Sequence, residues 1–233
     1  MAWARDDERL VAGGLLVAGP LLFFVAIGFI GGIADPTGNS IVSMSAEARL
    51  PLIAANAGRW ELGWGFGVAG TVITVLGLAM LEAVLRSAGD RILGRLGLIA
   101  FLFGAVLTVA ARATDVSVTL WAARETSAGA PIPTLLAPVV DWANTMTAIY
   151  TALAFAALVA FGGSILTTGL LSRGVGWAAV AWGLGWGVVF VVVWIAAGGF
   201  DYPVLHEIMP LLIGVALLRE TLRERRRLAE PSV

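Results

Sequence analysis

The sequence predicts an all-α protein: a polytopic transmembrane helix bundle with six spans and both the N and C termini cytoplasmic. Three observations lead there. Of the 233 residues, 59% are hydrophobic and only 13% are charged, about half the charge of a soluble domain (~25%). The apolar residues are gathered into runs too long for a water-soluble core. The basic residues, finally, lie mostly to one side of those runs.

The first run, residues 10–33, is too long for a signal-peptide core and lacks a small-residue cleavage site, so it reads as a retained span. A turn-rich loop at Asp35, Pro36, Gly38 and Asn39 follows, and Leu50, Leu52 and Ile53 then mark a short interfacial helix. The second span, 60–85, stops at Arg86. The turn Ser87-Ala88-Gly89-Asp90-Arg91 leads into the third, 92–111, whose helical pattern continues past Arg112 and Asp115 towards Trp121. A loop with Gly129, Pro131 and Pro133 precedes the fourth span, 141–171. The turn Ser172-Arg173-Gly174 allows only antiparallel packing against the fifth, 175–197, which Gly198-Gly199 breaks. The sixth, 201–218, runs into an Arg-rich tail, 219–233. Residues 1–233 thus form a single membrane domain without an internal repeat.

All 15 basic residues are Arg. Six spans with both ends inside place Arg5, Arg9, Arg86, Arg91, Arg95, Arg173, Arg219, Arg223, Arg225, Arg226 and Arg227 on the cytoplasmic face, leaving Arg49, Arg59, Arg112 and Arg124 outside. An odd number of spans would put the tail on the wrong side. Small residues four apart, Gly28/Gly32, Gly63/Gly67 and Gly183/Gly187, predict close helix contacts. The Ala, Gly and Arg bias without Lys points to a GC-rich bacterial genome, hence to a multi-pass protein of the bacterial inner membrane.

Several chemistries are excluded by composition. There is no Cys for disulfides or thiolate ligands, no Lys for a Schiff base, and a single His, His206, which cannot build a bis-His haem or multi-His metal centre. No cofactor and no metal are expected. The net charge of −1 and the lack of a basic domain argue against nucleic acid. The expected partners are membrane lipids and a small apolar ligand.

Polar residues cluster by depth. Glu61, Arg112, Asp115, Asp141, Asn144, Asp201, His206 and Glu207 all map to the predicted outer ends of helices two to six. Two readings stay open: they border the aqueous face, or they share a polar pocket, since ionisable groups at membrane depth need a cavity or a partner. Arg112 and Asp115 are helical neighbours able to neutralise each other. Asp141, Asn144, Thr145, Ala148 and Thr151 form one stripe that would line a cavity, unless the hydroxyls only bond their own backbone. Asp201 reads as the N-cap of the last helix, and Pro210 removes the bond that the His206 carbonyl would accept. His206 beside Glu207 reads either as a proton-handling site or as a structural helix start. Trp60, Trp121, Trp142 and Trp177 read as an aromatic belt. Trp182 and Trp186, four apart in mid-span, either wall an apolar site or pack between helices.

Gly19-Pro20 in the first span, a long outer loop, Trp60-Glu61-Leu62-Gly63 opening the second helix and Ser172-Arg173-Gly174-Val175-Gly176-Trp177 opening the fifth together resemble a broad group of uncharacterised bacterial six- or seven-helix membrane proteins. A narrower resemblance, carried by Leu50-Pro51-Leu52-Ile53, Asn56 and Trp60-Glu61, is to small integral-membrane terpene cyclases acting on prenylated substrates. It implies Glu61 as one proton-handling acid and Asp201 as the nearest candidate for the second.

The leading expectation is a membrane protein that holds a small apolar or lipid-like ligand in an outer-half cavity. The cavity would be lined by Arg112, Asp115, Asp141, Asn144, Thr151, Glu207, Trp182 and Trp186. The alternative is a membrane-embedded acid–base enzyme with Glu61, Asp201 or His206 as proton donors. Transport is a third, which the missing repeat disfavours.

Overall fold

The computed structural model describes residues 2–41, 44–197 and 205–229. Among them are seven helices: α1 (Ala2–Gly31), α2 (Leu50–Ala55), α3 (Ala57–Ser87), α4 (Leu93–Ser127), α5 (Leu136–Thr168), α6 (Arg173–Ala197) and α7 (Leu205–Ala229). Five of them, α1 and α3 to α6, are long and apolar enough to cross a membrane. Their outward faces carry large apolar side chains such as Leu21, Val25, Leu76, Ile99, Phe103, Val188 and Ile195. Such a surface suits hydrocarbon and not water. The chain is built as a helical membrane protein.

Local chemistry sets the helix ends. After α3 the backbone turns at Gly89, whose φ of 107° is open to glycine alone. Asp90 then caps α4 by accepting the Gly94 amide at 2.8 Å. Gly169 closes α5 in the left-handed conformation, φ 66°. These short turns force neighbouring helices antiparallel. α1 packs on α3 and α7, α4 on α5, and α5 on α6, while α3 against α4 joins the two layers. The contact between α6 and α7 is sparse by comparison. Ion pairs Arg9–Glu224 (2.8 Å) and Asp7–Arg225 bring the start of α1 and the end of α7 to one end of the bundle, here called the tail end.

Two predicted features need correction. Of the glycine pairs, Gly28 faces open space, and Gly67 and Gly187 make only ordinary contacts. One member of each of two pairs does approach closely, Gly63 to Ile30 and Gly183 to the Phe155 carbonyl, and further close approaches fall outside the pairs, Gly70 to the Gly19 carbonyl and the Phe23 amide and Gly77 to Leu16. Gly63, Gly70 and Gly77 are seven apart, two turns each, and form one stripe against α1. The short helix α2 does not expose its apolar face along an interface. Leu50 and Ile53 are buried with Trp60, Leu120, Leu136 and Val140 in a second core at the far end, separate from the main core.

The last helix also differs from expectation. Its described part begins at Leu205, and His206 meets Phe23 of α1 and Tyr150 of α5, both well inside the bundle. Asp201 lies outside the described residues.

The loop after α1 is tied by one carboxylate. Asp35 accepts from the Thr37 amide (2.9 Å) and hydroxyl (2.7 Å) and from the Asn39 amide (2.8 Å) and side chain (3.1 Å). Donation from the Thr37 hydroxyl first, then from the Asn39 amide, holds its pKa below the ordinary carboxylate value. A depressed carboxylate favours the ordered loop above its unfolded pKa, and the benefit disappears as pH falls through the lower folded value. The amide shifts of Thr37 and Asn39 should therefore titrate together, with a midpoint below that of an unstructured Asp. Titration of these amides at the ordinary midpoint would contradict this.

Candidate functional site

Mid-bundle, three helices bring polar groups to one buried carboxylate. Glu207 lies in the first turn of α7, where the helix dipole favours an acid. It accepts the Tyr150 hydroxyl of α5 at 3.1 Å on Oε1 and the Thr74 hydroxyl of α3 at 3.2 Å on Oε2. His206 Nε2 stands 3.5 Å from Glu207 Oε1. His206, Glu207 and Thr74 are fully buried and Tyr150 is almost so. Neither ring nitrogen of His206 has a hydrogen-bond partner among the described residues, although buried polar atoms nearly always find one.

Aromatic rings box the imidazole. Tyr150, Phe23 and Phe155 meet it edge-on, with centroids at 4.7, 6.1 and 6.4 Å. Trp182 of α6 donates to the Leu205 carbonyl at 2.8 Å and pins the start of α7, and Trp186 stacks beside it at 5.8 Å. From Phe155 the aromatic contacts continue outward to Phe190 (6.4 Å) and Trp194 (5.9 Å). There a groove of about 240 Å³ opens between α5 and α6, lined by Ala148, Ala152, Phe190 and Trp194 among others. The groove is apolar and faces outward, with Val191 and Ile195 exposed on its rim. A larger groove of about 480 Å³ on the loop after α1 involves Asp35 and Asn39, whose side chains are already bonded to one another.

The predicted site residues therefore divide. His206 and Glu207 belong to this mid-bundle cluster and not to an outer helix end, and Trp182 and Trp186 stand behind it. Arg112 and Asp115 form a different site at the far end, with an ion pair of 3.4 Å. The polar stripe on α5 does not line an interior cavity: Asp141, Asn144 and Thr145 are exposed, and only Ala148 and Thr151 are buried. Thr151 donates to its own helix, to the Thr147 carbonyl at 2.9 Å. Glu61 is 53% exposed and 3.8 Å from Arg124, and it makes no contact with the Glu207 carboxylate. Trp60 is not a belt residue, being only 1% exposed in the far-end core, whereas Trp121, Trp142 and Trp177 do face outward.

Tyr150, Thr74, Arg49 and Trp64 were not predicted as site residues. Tyr150 is one of only two Tyr in the chain and directly precedes Thr151 of the polar stripe. Thr74 lies between Gly70 and Gly77 on the stripe that packs on α1. Those were the signals available.

Chemically, the cluster can hold a carboxylate against two hydroxyl donors and exchange a proton with an imidazole within one small side-chain rotation. Among the described residues, no group of three or more His, Cys, Asp or Glu is placed to bind a metal. Comparisons of the chain with protein-family models, curated proteins and solved structures found no match.

Proposed function

We propose that the chain is a six-span protein of the bacterial inner membrane, with both ends cytoplasmic, that binds a small apolar or lipid-like ligand reached from the bilayer. Its tail end carries most of the Arg residues, which supports a cytoplasmic tail end by the positive-inside rule.

The observation that carries the ligand reading is the pairing of an apolar lateral groove with a buried polar end. The groove at Ala148, Ala152, Phe190 and Trp194 is separated from His206 by the buried Phe155 ring, and neither ring nitrogen of His206 has a hydrogen-bond partner among the described residues. Sites for small molecules commonly combine apolar walls with a few convergent polar groups. An amphiphile would lie along Phe190 and Phe155 and present its polar end to His206.

Filling the groove tests this. Purified wild-type protein should carry a small amphiphile that mass spectrometry identifies, and Ala152→Phe should lose it while melting near the wild-type temperature. If Ala152→Phe retains the same molecule in the same amount, the groove is not the route. Acid–base chemistry on a prenylated substrate is a second reading, favoured by the contact of Glu207 with both Tyr150 and His206. It would rest on Glu207 in place of Glu61.

A further inference from the structure

At the far end of the bundle, Arg49 precedes α2 and reaches across to Asp115 of α4. Asp115 is 1% exposed. Its Oδ1 accepts the Thr119 hydroxyl at 2.9 Å and stands 3.9 Å from Arg49 Nη2, too far for a hydrogen bond. Its Oδ2 accepts from Arg112 Nη1 at a long 3.4 Å. Each guanidinium lies against an indole: Arg112 over Trp64 at 4.7 Å and Arg49 near Trp60 at 6.0 Å. The two indoles meet edge to face at 5.7 Å.

Neither charge nor hydrogen bonding closes here. Two guanidiniums face one carboxylate, and among the described residues no second acid pairs with either. Glu61, the nearest acid along α3, is engaged by Arg124. Arg49 Nε and Nη2, Trp60 Nε1 and Trp64 Nε1 are buried donors with no hydrogen-bond acceptor among the described residues. A buried, unsatisfied donor is costly, and four gather here around one surplus positive charge. An oxyanion of charge −1 with several acceptor oxygens would satisfy them.

We propose that Arg49, Arg112, Trp60 and Trp64 form a binding site for a singly charged phosphate ester. A phosphodiester matches the surplus charge, and planar guanidinium forks suit two of its oxygens at once. The indoles shield both cations from water and supply ring N–H donors. The chemistry is shared by an anionic phospholipid headgroup and a soluble phosphate. Arg112 stands about 12 Å along α4 from the level where Gly104 meets Tyr150, so the site is distinct from the His206 cluster.

The test is thermal melting of the full chain in a neutral maltoside detergent with four additions. These are dioctanoyl phosphatidylglycerol, dioctanoyl phosphatidylcholine, sodium phosphate, and sodium chloride at matched ionic strength. Phosphatidylglycerol should raise the midpoint saturably, beyond phosphatidylcholine and chloride. Sodium phosphate acting alone in this way would assign the site to a soluble anion. Arg49→Gln and Arg112→Gln should each weaken the apparent affinity about tenfold or more, while Arg124→Gln leaves it unchanged. Should Arg112→Gln fail to fold, Trp64→Phe keeps the packing, removes one donor, and should weaken binding severalfold. The proposal is overturned if no phosphate species shifts the midpoint beyond sodium chloride, or if Arg49→Gln responds as the wild type does.

Discussion

Replacing Gly70 by Val is expected to cost about 3 kcal/mol or more of bundle stability and to lower the melting temperature far more than any surface change. A Cβ at Gly70 would lie 2.7 Å from the Gly19 carbonyl oxygen, 2.8 Å from the Phe23 amide nitrogen and 3.2 Å from its Cα. All three are backbone atoms of α1, so no rotamer relieves the clash and the two helices must separate. Without a hydrophobic drive between helices in lipid, close backbone approach is a main source of association. Separation also reaches the site, because Thr74 sits one turn along α3 and donates to Glu207. The matched control is Gly65→Ala. Gly65 is on the same helix, and a Cβ there meets nothing within 4 Å. That change should be neutral or stabilising by up to about 1 kcal/mol, since Gly is a poorer helix former than Ala. Equal melting temperatures for Gly70→Val and Gly65→Ala would show that α1 and α3 do not cross here.

The crossing also illustrates what sequence patterning conveys and what it leaves out. Helix positions were readable because apolar runs and Gly or Asp turns are local signals. The run past Arg112 does continue as one helix to Ser127. Contact faces were less readable. A four-residue glycine rule selected Gly28 and Gly32, whereas the working stripe on α3 repeats every seven residues at Gly63, Gly70 and Gly77. Both spacings put glycines on one helix face, and only the neighbouring helix decides which face is used.

Depth was the least readable property. His206 and Glu207 follow a Gly-Gly break and were assigned to an outer helix end, yet α7 begins against Phe23 and Tyr150 inside the bundle. No local pattern encodes how far a helix start descends between its neighbours. The same holds for Arg49. Its place in a polar loop marks it as solvated, but the loop folds back and buries it beside Asp115 and Trp60. By contrast, the pairing of Arg112 with Asp115 follows from a three-residue spacing on one helix, and the ion pair is present.

Glu207→Ala is expected to have the other large effect, about 3–5 kcal/mol. Truncation leaves the Tyr150 and Thr74 hydroxyls without their acceptor, removes the nearest partner of His206, and opens a void between α3, α5 and α7. Glu207→Gln keeps the volume and one acceptor oxygen, so its cost should be nearer 1–2 kcal/mol, roughly one lost hydrogen bond. Tyr150→Phe removes only the donor and should cost a similar amount, roughly 1–2 kcal/mol. The double variant isolates the contact: in membrane bundles such pairs couple by roughly 0.6 kcal/mol on average, with ~1.7 at the upper end. A coupling near 1 kcal/mol is expected here because both partners are buried and directly bonded. Unfolding in mixed detergent micelles, followed by far-ultraviolet circular dichroism, supplies all four stabilities. If Glu207→Ala proves as stable as the wild type, the carboxylate is not held by Tyr150 and Thr74. The acid–base reading then loses its carboxylate, whereas the phosphate site at Arg49 and Arg112, about 12 Å along α4 from the level of Gly104, would stand untouched.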